Sequence, residues 1–160
     1  MPPDPTFYES LPKKRMGAGC LFFDAQGRVL LVKPTYKPTW EIPGGIVEFN
    51  ESPLQCCRRE VQEEIGLARA VGGLLVVDYN KQAGDKTESL MFIFSGGVLS
   101  AQDIASIRLR SEELSEYRFF DAGSLPPEMT PTLRARVLAA WRQATGAGGA
   151  YLEDQRLPEG

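Results

Sequence analysis

The chain concentrates carboxylates in one short segment, at a spacing that would bring them together on a helix. Gly45 is followed by Glu51, and then by the run Arg59-Glu60-Val61-Gln62-Glu63-Glu64-Ile65-Gly66-Leu67. The glutamates of this run are three and four residues apart, so on a helix they share a face and repel one another. A hard cation such as Mg²⁺ or Mn²⁺, which prefers oxygen ligands, would neutralise them. Zinc is disfavoured, because the chain has no histidine and its three cysteines lack a zinc-binding spacing.

A helix must position these acids, and the surrounding residues carry the signals for both of its ends. Ser52 is suited to cap the N-terminus, with Pro53 at the first helical position and Gln55 completing a capping box. Gly66 is suited to end the helix. Apolar residues recur at steps of three and four on another face, namely Leu54, Cys57, Val61 and Ile65. This stripe would pack on a core and leave the glutamates at the boundary between core and solvent.

A solvated helix face with no further role is the alternative interpretation of such an acidic run. Two features argue against it here. The Gly44-Gly45 pair just upstream lets backbone carbonyls approach an ion, and the apolar stripe presses the acidic edge against the fold. Arg59 can pair with Glu63 one turn further on, or reach back to Glu51, but one cation does not balance four acids.

From Gly45 to Leu67 the chain matches every fixed position of one family's defining box, and it therefore resembles the Nudix hydrolases (MutT-like proteins). The similarity extends upstream through Trp40-Glu41-Ile42-Pro43-Gly44, which is similar to the strand that leads into the box. The resemblance implies an α+β fold of the Nudix type, an α/β/α sandwich with a central mixed β-sheet. It also implies hydrolysis, dependent on Mg²⁺ or Mn²⁺, of a nucleoside diphosphate linked to another moiety.

The resemblance also implies roles for individual residues. Glu63 and Glu64 match the principal metal ligands, and the Gly44 carbonyl matches a backbone ligand. Glu60 matches a residue that is either the general base or a further ligand. Arg59 and Glu51 are similar to residues that orient the acids, and Gly45 and Gly66 to structural glycines of the box.

The family often uses one more acid, a few residues before a strand. Counting back from the aromatic segment Tyr117-Arg118-Phe119-Phe120, we favour Glu113 for this role, with Glu112 and Glu116 as the other candidates. A solvated loop or helical turn at residues 111–114 is the alternative.

Substrate-binding candidates lie before the box, in the segment 33–38, which the sequence predicts to be a loop. Lys33 and Lys37 are candidates for phosphate contacts, and Tyr36 for stacking on a base. Solvated lysines, and a tyrosine that covers apolar surface, are the alternatives. Further substrate contacts are predicted around the predicted loop 80–87, at Asp78, Tyr79, Lys81 and Glu88.

The substrate itself stays open between a nucleoside triphosphate and a nucleotide sugar such as ADP-ribose. A catalytically silent Nudix-fold module that senses a nucleotide or binds a protein is the alternative to an enzyme.

The remaining sequence predicts one Nudix domain over residues 16–145, between an extended N-terminal segment (1–15) and a flexible C-terminal tail (146–160). The tail could instead lie across a neighbouring subunit in a homodimer. The net charge of −3 argues against nucleic acid as a partner, and no apolar run is long enough for a membrane span. The three cysteines and the lack of a secretion signal favour the cytoplasm.

Further strands and a second helix are predicted within that domain. Residues 16–23 and 28–32 form a hairpin around the turn 24–27, and residues 74–77 pair antiparallel with 89–94. Trp40 and Ile42 alternate in a short strand, with Trp40 in the core. Residues 130–144 form a helix capped by Thr130.

Overall fold

The structure, a computed structural model that describes residues 4–146 and 150–159, is built on a mixed sheet. Its strands run in the order β6-β2-β1-β5-β4-β7, and β3 pairs with the first half of β1. The strands of the described residues are β1 (Arg15–Phe23), β2 (Val29–Pro34), β3 (Gly44–Ile46), β4 (Gly72–Asn80), β5 (Ser89–Val98), β6 (Leu114–Phe120) and β7 (Tyr151–Glu153). The helices are α1 (Phe7–Ser10), α2 (Pro53–Ile65), α3 (Ala101–Ser106) and α4 (Pro131–Ala144), with a 3-10 turn at Ala122–Ser124.

Both faces of this sheet are covered, because alternate residues of the central strand β1 point to opposite sides. Cys20 and Phe22 pack into a cluster with the apolar stripe of α2, whereas Leu21 and Phe23 pack into a second cluster with α4. This three-layer arrangement confirms the predicted α+β sandwich. One layer carries the acidic helix, which the sheet holds in place along its apolar stripe.

Helix α2 begins and ends where the sequence predicts. The Ser52 hydroxyl accepts a hydrogen bond from the Gln55 N–H (3.2 Å), and the Gln55 side chain accepts one from the Ser52 N–H (2.8 Å). At the other end Gly66 adopts φ 69°, a left-handed conformation that favours glycine, and its N–H bonds the Gln62 carbonyl. Cys57 is fully buried, as the stripe predicts.

The other predicted elements are present with small shifts of their ends. The turn 24–27 joins β1 to β2, with Gly27 at φ 76°, and β4 pairs antiparallel with β5. Thr130 caps α4 through a bond from the Leu133 N–H. Trp40 is in the core, 4% exposed, but the predicted strand around it is wrong. Only Glu41 makes a bridge, to Val32, because the chain then turns to form β3.

The two ends of the chain differ from the prediction. The segment before the domain is not extended throughout: the Asp4 side chain accepts bonds from the Thr6 N–H and hydroxyl, and this turn leads into α1. After Gly146 the linker residues 147–149 lie outside the described residues. The tail then forms β7, which pairs parallel with the edge strand β4 and buries Leu152 (2% exposed). A flexible tail is therefore the wrong description of residues 151–153. In the described part of the chain, no helix has the length and apolar character needed to cross a bilayer.

Candidate active site

A cavity of about 340 Å³ opens at the junction of α2, β2, β3 and the loop before β6. Its lining is made of Val32, Pro34, Tyr36, Lys37, Glu41, Ile42, Gly44, Glu60, Glu64, Glu113 and Leu114. Four of these residues are glutamates and one is a lysine. The cavity therefore combines an apolar wall with a strong excess of carboxylates.

The two glycines before the box permit a close approach of backbone to carboxylate. A Cβ on Gly44 would lie 2.4 Å from the Ala18 carbonyl oxygen of β1, and a Cβ on Gly45 would lie 2.3 Å from the Glu60 Oε1. The Gly44 N–H donates a hydrogen bond to the Glu64 Oε2 at 2.9 Å. Glycine is thus required sterically at position 44, where a side chain would displace the backbone of β1, whereas a side chain at position 45 would displace the Glu60 carboxylate.

Arg59 lies beside the cavity and holds two acids of the box. Its guanidinium bonds both carboxylate oxygens of Glu51, at 2.7 and 3.0 Å, and Glu60 Oε1 at 2.7 Å. Its contact with Glu63 is longer, 3.5 Å. Both partners that the sequence predicts for Arg59 are therefore present, and the shorter distances are those to Glu51. The bonds from Arg59 lower the pKa of Glu51 to about 2, with help from the Glu48 N–H. Glu51 therefore stays ionised and orients Arg59 against Glu60.

Glu64 has the opposite electrostatic environment. Burial raises the pKa of its carboxyl to about 8, although the bond from the Gly44 N–H lowers it. The charges of three neighbouring carboxylates raise this pKa further, in the order Glu60, Glu113 and Glu41. A carboxyl in such a position gains from any cation that enters the cavity.

Glu63 lies at the rim of the cavity. Its side chain is 42% exposed and lies 3.5 Å from the Arg59 guanidinium and 3.6 Å from that of Arg110. In this conformation, no three acidic, histidine or cysteine side chains of the described residues converge as a ready-made metal site. Glu60 and Glu64 already face the cavity, and Glu63 would join them only by leaving its two arginines.

The structure separates the three candidates for the additional acid. Glu113 lines the cavity. Glu112 is exposed, and its backbone carbonyl accepts a bond from Thr35. Glu116 lies within β6 and pairs with Arg118. Glu113 is thus the one of these three that reaches the carboxylates of α2.

Among the substrate-binding candidates, Tyr36 and Lys37 line the cavity and Lys33 does not belong to that lining. Lys37 pairs with Glu41 at 2.8 Å, and Tyr36 is 76% exposed at the mouth. Lys33 lies over the Trp40 ring, 5.4 Å from its centre. Lys33 therefore lies away from the cavity, because β2 continues to Pro34 and alternation turns Lys33 to the other face of the sheet, and its contact with substrate stays a prediction.

Two further residues, Glu41 and Asp78, have positions that differ from the prediction. Glu41 was assigned only to a strand, yet it faces the cavity beside Lys37. Asp78 was proposed for substrate contacts, but it is fully buried and pairs with Arg136 at 2.8 Å, outside the cavity. Asp78 is therefore structural. The sequence carried one signal for Glu41, its position between the apolar Trp40 and the glycine pair.

The chemistry of the lining fits a hard divalent cation. All its charged acceptors are carboxylate oxygens, and Gly44 of the glycine pair also belongs to the lining. Neither histidine nor cysteine lines the cavity, so its donors suit Mg²⁺ or Mn²⁺ better than zinc. The apolar wall formed by Val32, Ile42 and Leu114 would limit the access of water to a bound substrate.

Comparison with known proteins identifies the family. The model of the NUDIX domain matches residues 13–141. A MutT-like protein of Streptomyces ambofaciens is 36% identical over 92 residues, which are 56% of this chain and 60% of that protein. An RNA pyrophosphohydrolase of Gluconacetobacter diazotrophicus is 37% identical over 70 residues, 38% of this chain and 41% of the relative. The matched stretches thus span less than two thirds of either relative's length.

The fold agrees with this match. The crystal structure of the MutT protein from Methanosarcina mazei Go1 superposes with a TM-score of 0.66, covering 86% of this chain and 98% of that one at 22% identity. At that identity the likeness concerns the fold alone. The domain match covers most of the chain and includes the whole acidic box. The chain therefore belongs to the NUDIX domain family, the Nudix hydrolases.

Proposed function

We propose that this protein hydrolyses a diphosphate bond in a nucleoside diphosphate linked to another moiety, with Mg²⁺, or Mn²⁺ in its place, as the cofactor. The observation that carries the proposal is the charge of the cavity, which holds four carboxylates and one ammonium group in its lining. The raised pKa of Glu64, about 8, comes from burial beside those carboxylates. Such a site favours a cation over any anion that arrives without one.

Glu60, Glu63, Glu64 and the Gly44 carbonyl are the groups that would hold the metal. When bound, a divalent cation offsets phosphate charge, and it makes a water molecule acidic enough to be deprotonated near neutral pH. Glu60 and Glu64 need little movement, since both already line the cavity. Glu63 must leave Arg59 and Arg110, and both contacts are long and partly exposed, so this exchange costs little.

The chain's own groups supply the remaining parts of the reaction. Glu60 is the candidate to accept the proton of the attacking water, and Glu113, on the loop opposite α2, is the alternative. Arg59 keeps Glu60 in place through a bond of 2.7 Å, while Glu51 anchors Arg59. A group that holds a reacting carboxylate in this way affects the rate without touching the substrate.

The mouth of the cavity indicates how a nucleotide would lie. Tyr36 offers an exposed ring for stacking, and Lys37, next to it, offers a cation for a phosphate. We propose a small nucleotide, either a nucleoside triphosphate or a nucleotide sugar such as ADP-ribose, as the substrate. The three cysteines are buried and free, which suits a reducing compartment such as the cytoplasm.

A panel of nucleotides tests this proposal. Nucleoside triphosphates, nucleotide sugars and dinucleotides are incubated with the protein and Mg²⁺ or Mn²⁺, with chelator as the control, and the products are separated. We expect metal-dependent release of a nucleoside monophosphate from one class. Binding of these compounds without cleavage of any would contradict the proposal, and would favour a nucleotide-sensing module.

A further inference from the structure

Arg110 is the one arginine of the loop 107–113 whose guanidinium reaches the acids of the site. It lies 3.6 Å from Glu63 and 3.4 Å from Glu113, and so bridges α2 and the loop across the rim of the cavity. The backbone at this point is held firmly, because the Arg110 N–H bonds the Glu64 carbonyl at 3.0 Å and the Arg110 carbonyl accepts from Leu114 at 2.8 Å. The side chain, in contrast, is 44% exposed.

The two arginines near the carboxylates are held very differently. Arg59 is 26% exposed and makes three hydrogen bonds of 2.7 to 3.0 Å to Glu51 and Glu60. Arg110 makes only the two longer contacts, which at this exposure are weak. A change in charge at the rim would therefore move Arg110 and leave Arg59 in place.

We propose that Arg110 is a counter-ion that competes with the metal for Glu63 and that, once the metal is bound, contacts a phosphate group of the substrate. In the metal-free protein its guanidinium neutralises Glu63 and Glu113. When Glu63 turns to a divalent cation, Arg110 loses that partner and becomes available to bind a phosphate oxygen, for which the planar guanidinium is well suited. Arg110 thus lowers metal affinity but raises substrate affinity. The inference rests on the proposed function, since it requires a metal at Glu63.

Metal binding without substrate tests whether Arg110 competes with the metal. Mn²⁺ is titrated into wild type and Arg110→Ala, and free Mn²⁺ is followed by electron paramagnetic resonance. We expect Arg110→Ala to bind Mn²⁺ about two- to fivefold more tightly, because one exposed ion pair no longer competes. Arg108→Ala is the matched control: it removes the same charge from the same loop, but Arg108 bonds only the carbonyls of Ala105 and Ile107. Equal or weaker Mn²⁺ binding by Arg110→Ala overturns the inference.

Binding of ADP at saturating Mg²⁺ tests whether Arg110 contacts a phosphate. We expect Arg110→Ala to bind ADP about three- to tenfold more weakly than wild type and Arg108→Ala, with Arg110→Lys between them. A purely structural role for Arg110 would weaken both affinities together, so opposite changes distinguish the two. Equal ADP affinity in wild type and Arg110→Ala, including none in either, overturns the phosphate contact. Failure of the wild type to bind Mn²⁺ at all would instead refute the proposed function.

Discussion

Replacing Glu64 by Gln is expected to stabilise the metal-free protein at alkaline pH while it removes the activity. Glu64 is partly buried beside Glu60, and this burial raises the pKa of its carboxyl to about 8 from an ordinary 4.5. A glutamine has almost the same shape, cannot ionise, and its carbonyl oxygen can still accept the bond from the Gly44 N–H. The substitution therefore removes the buried charge and retains the contact.

The magnitude follows from the linkage between proton binding and folding. Between pH 4.5 and 8 the folded protein keeps the Glu64 proton, while the unfolded chain loses it. The stabilising effect of the raised pKa is thus complete below pH 4.5 and is lost as pH rises through 8. Each pH unit is worth about 1.4 kcal/mol at most, and water reaching this partly buried group reduces that, so we expect a loss on the order of 3 kcal/mol. Glu64→Gln should not show this loss of stability with rising pH.

Urea unfolding in chelator at several pH values between 5 and 8.5 measures this difference. The window is favourable because the chain has no histidine to titrate within it. Glu63→Gln is the control, since it removes the same charge from a side chain that is 42% exposed. We expect the curve of Glu63→Gln to follow wild type and that of Glu64→Gln to diverge upward with pH. Parallel curves for wild type and Glu64→Gln would refute the raised pKa of the Glu64 carboxyl and its cause in burial.

Two further substitutions separate the site from its scaffold. Gly45→Ala places a methyl group 2.3 Å from the Glu60 Oε1 and should reduce kcat by about tenfold or more, measured at saturating Mg²⁺, because it displaces a carboxylate that lines the cavity. Gly123→Ala, with nothing within 4 Å of the added methyl group, should keep wild-type kcat, and an equal loss in both would count against the steric argument. Arg136→Met leaves Asp78 buried without its ion pair and should lower the free energy of unfolding by about 3 kcal/mol. Since this pair lies outside the cavity, the folded fraction should keep its kcat, and a stable but inactive Arg136→Met would contradict a structural role.

The parts of the fold that depend on neighbours in sequence could be predicted. The caps of α2 and its apolar stripe each involve residues within one or two turns of one another, so Ser52, Cys57 and Gly66 have the predicted roles. The choice of Glu113 over Glu112 likewise rested on a short count back from β6, and Glu113 is the one that lines the cavity.

The parts of the fold and of the site that depend on contacts between distant segments of the chain could not be predicted. Strand β7 is three residues long and forms only because the edge of β4 offers backbone partners, which no local pattern of residues 151–153 shows. Asp78 and Arg136 are 58 positions apart, and their pairing is visible only once α4 packs on the sheet. The contact of Arg110 with Glu63 also joins two segments that the sequence leaves unrelated. Lys33 is different, since extending β2 by two residues would have placed it correctly.

We propose that the carboxylate-lined cavity binds a divalent cation and that the protein hydrolyses a diphosphate bond there. The most direct measurement compares the Mg²⁺-dependent turnover of wild type, Glu64→Gln and Glu112→Gln on the best nucleotide of the panel, with folding checked by circular dichroism. Glu64 faces the cavity, whereas Glu112 carries the same charge on the exposed side of the nearby loop. We expect Glu64→Gln to lose at least a hundredfold in kcat, on the order of 3 kcal/mol, and Glu112→Gln to resemble wild type. A folded Glu64→Gln with wild-type turnover, or wild-type turnover that survives the chelator, would contradict it.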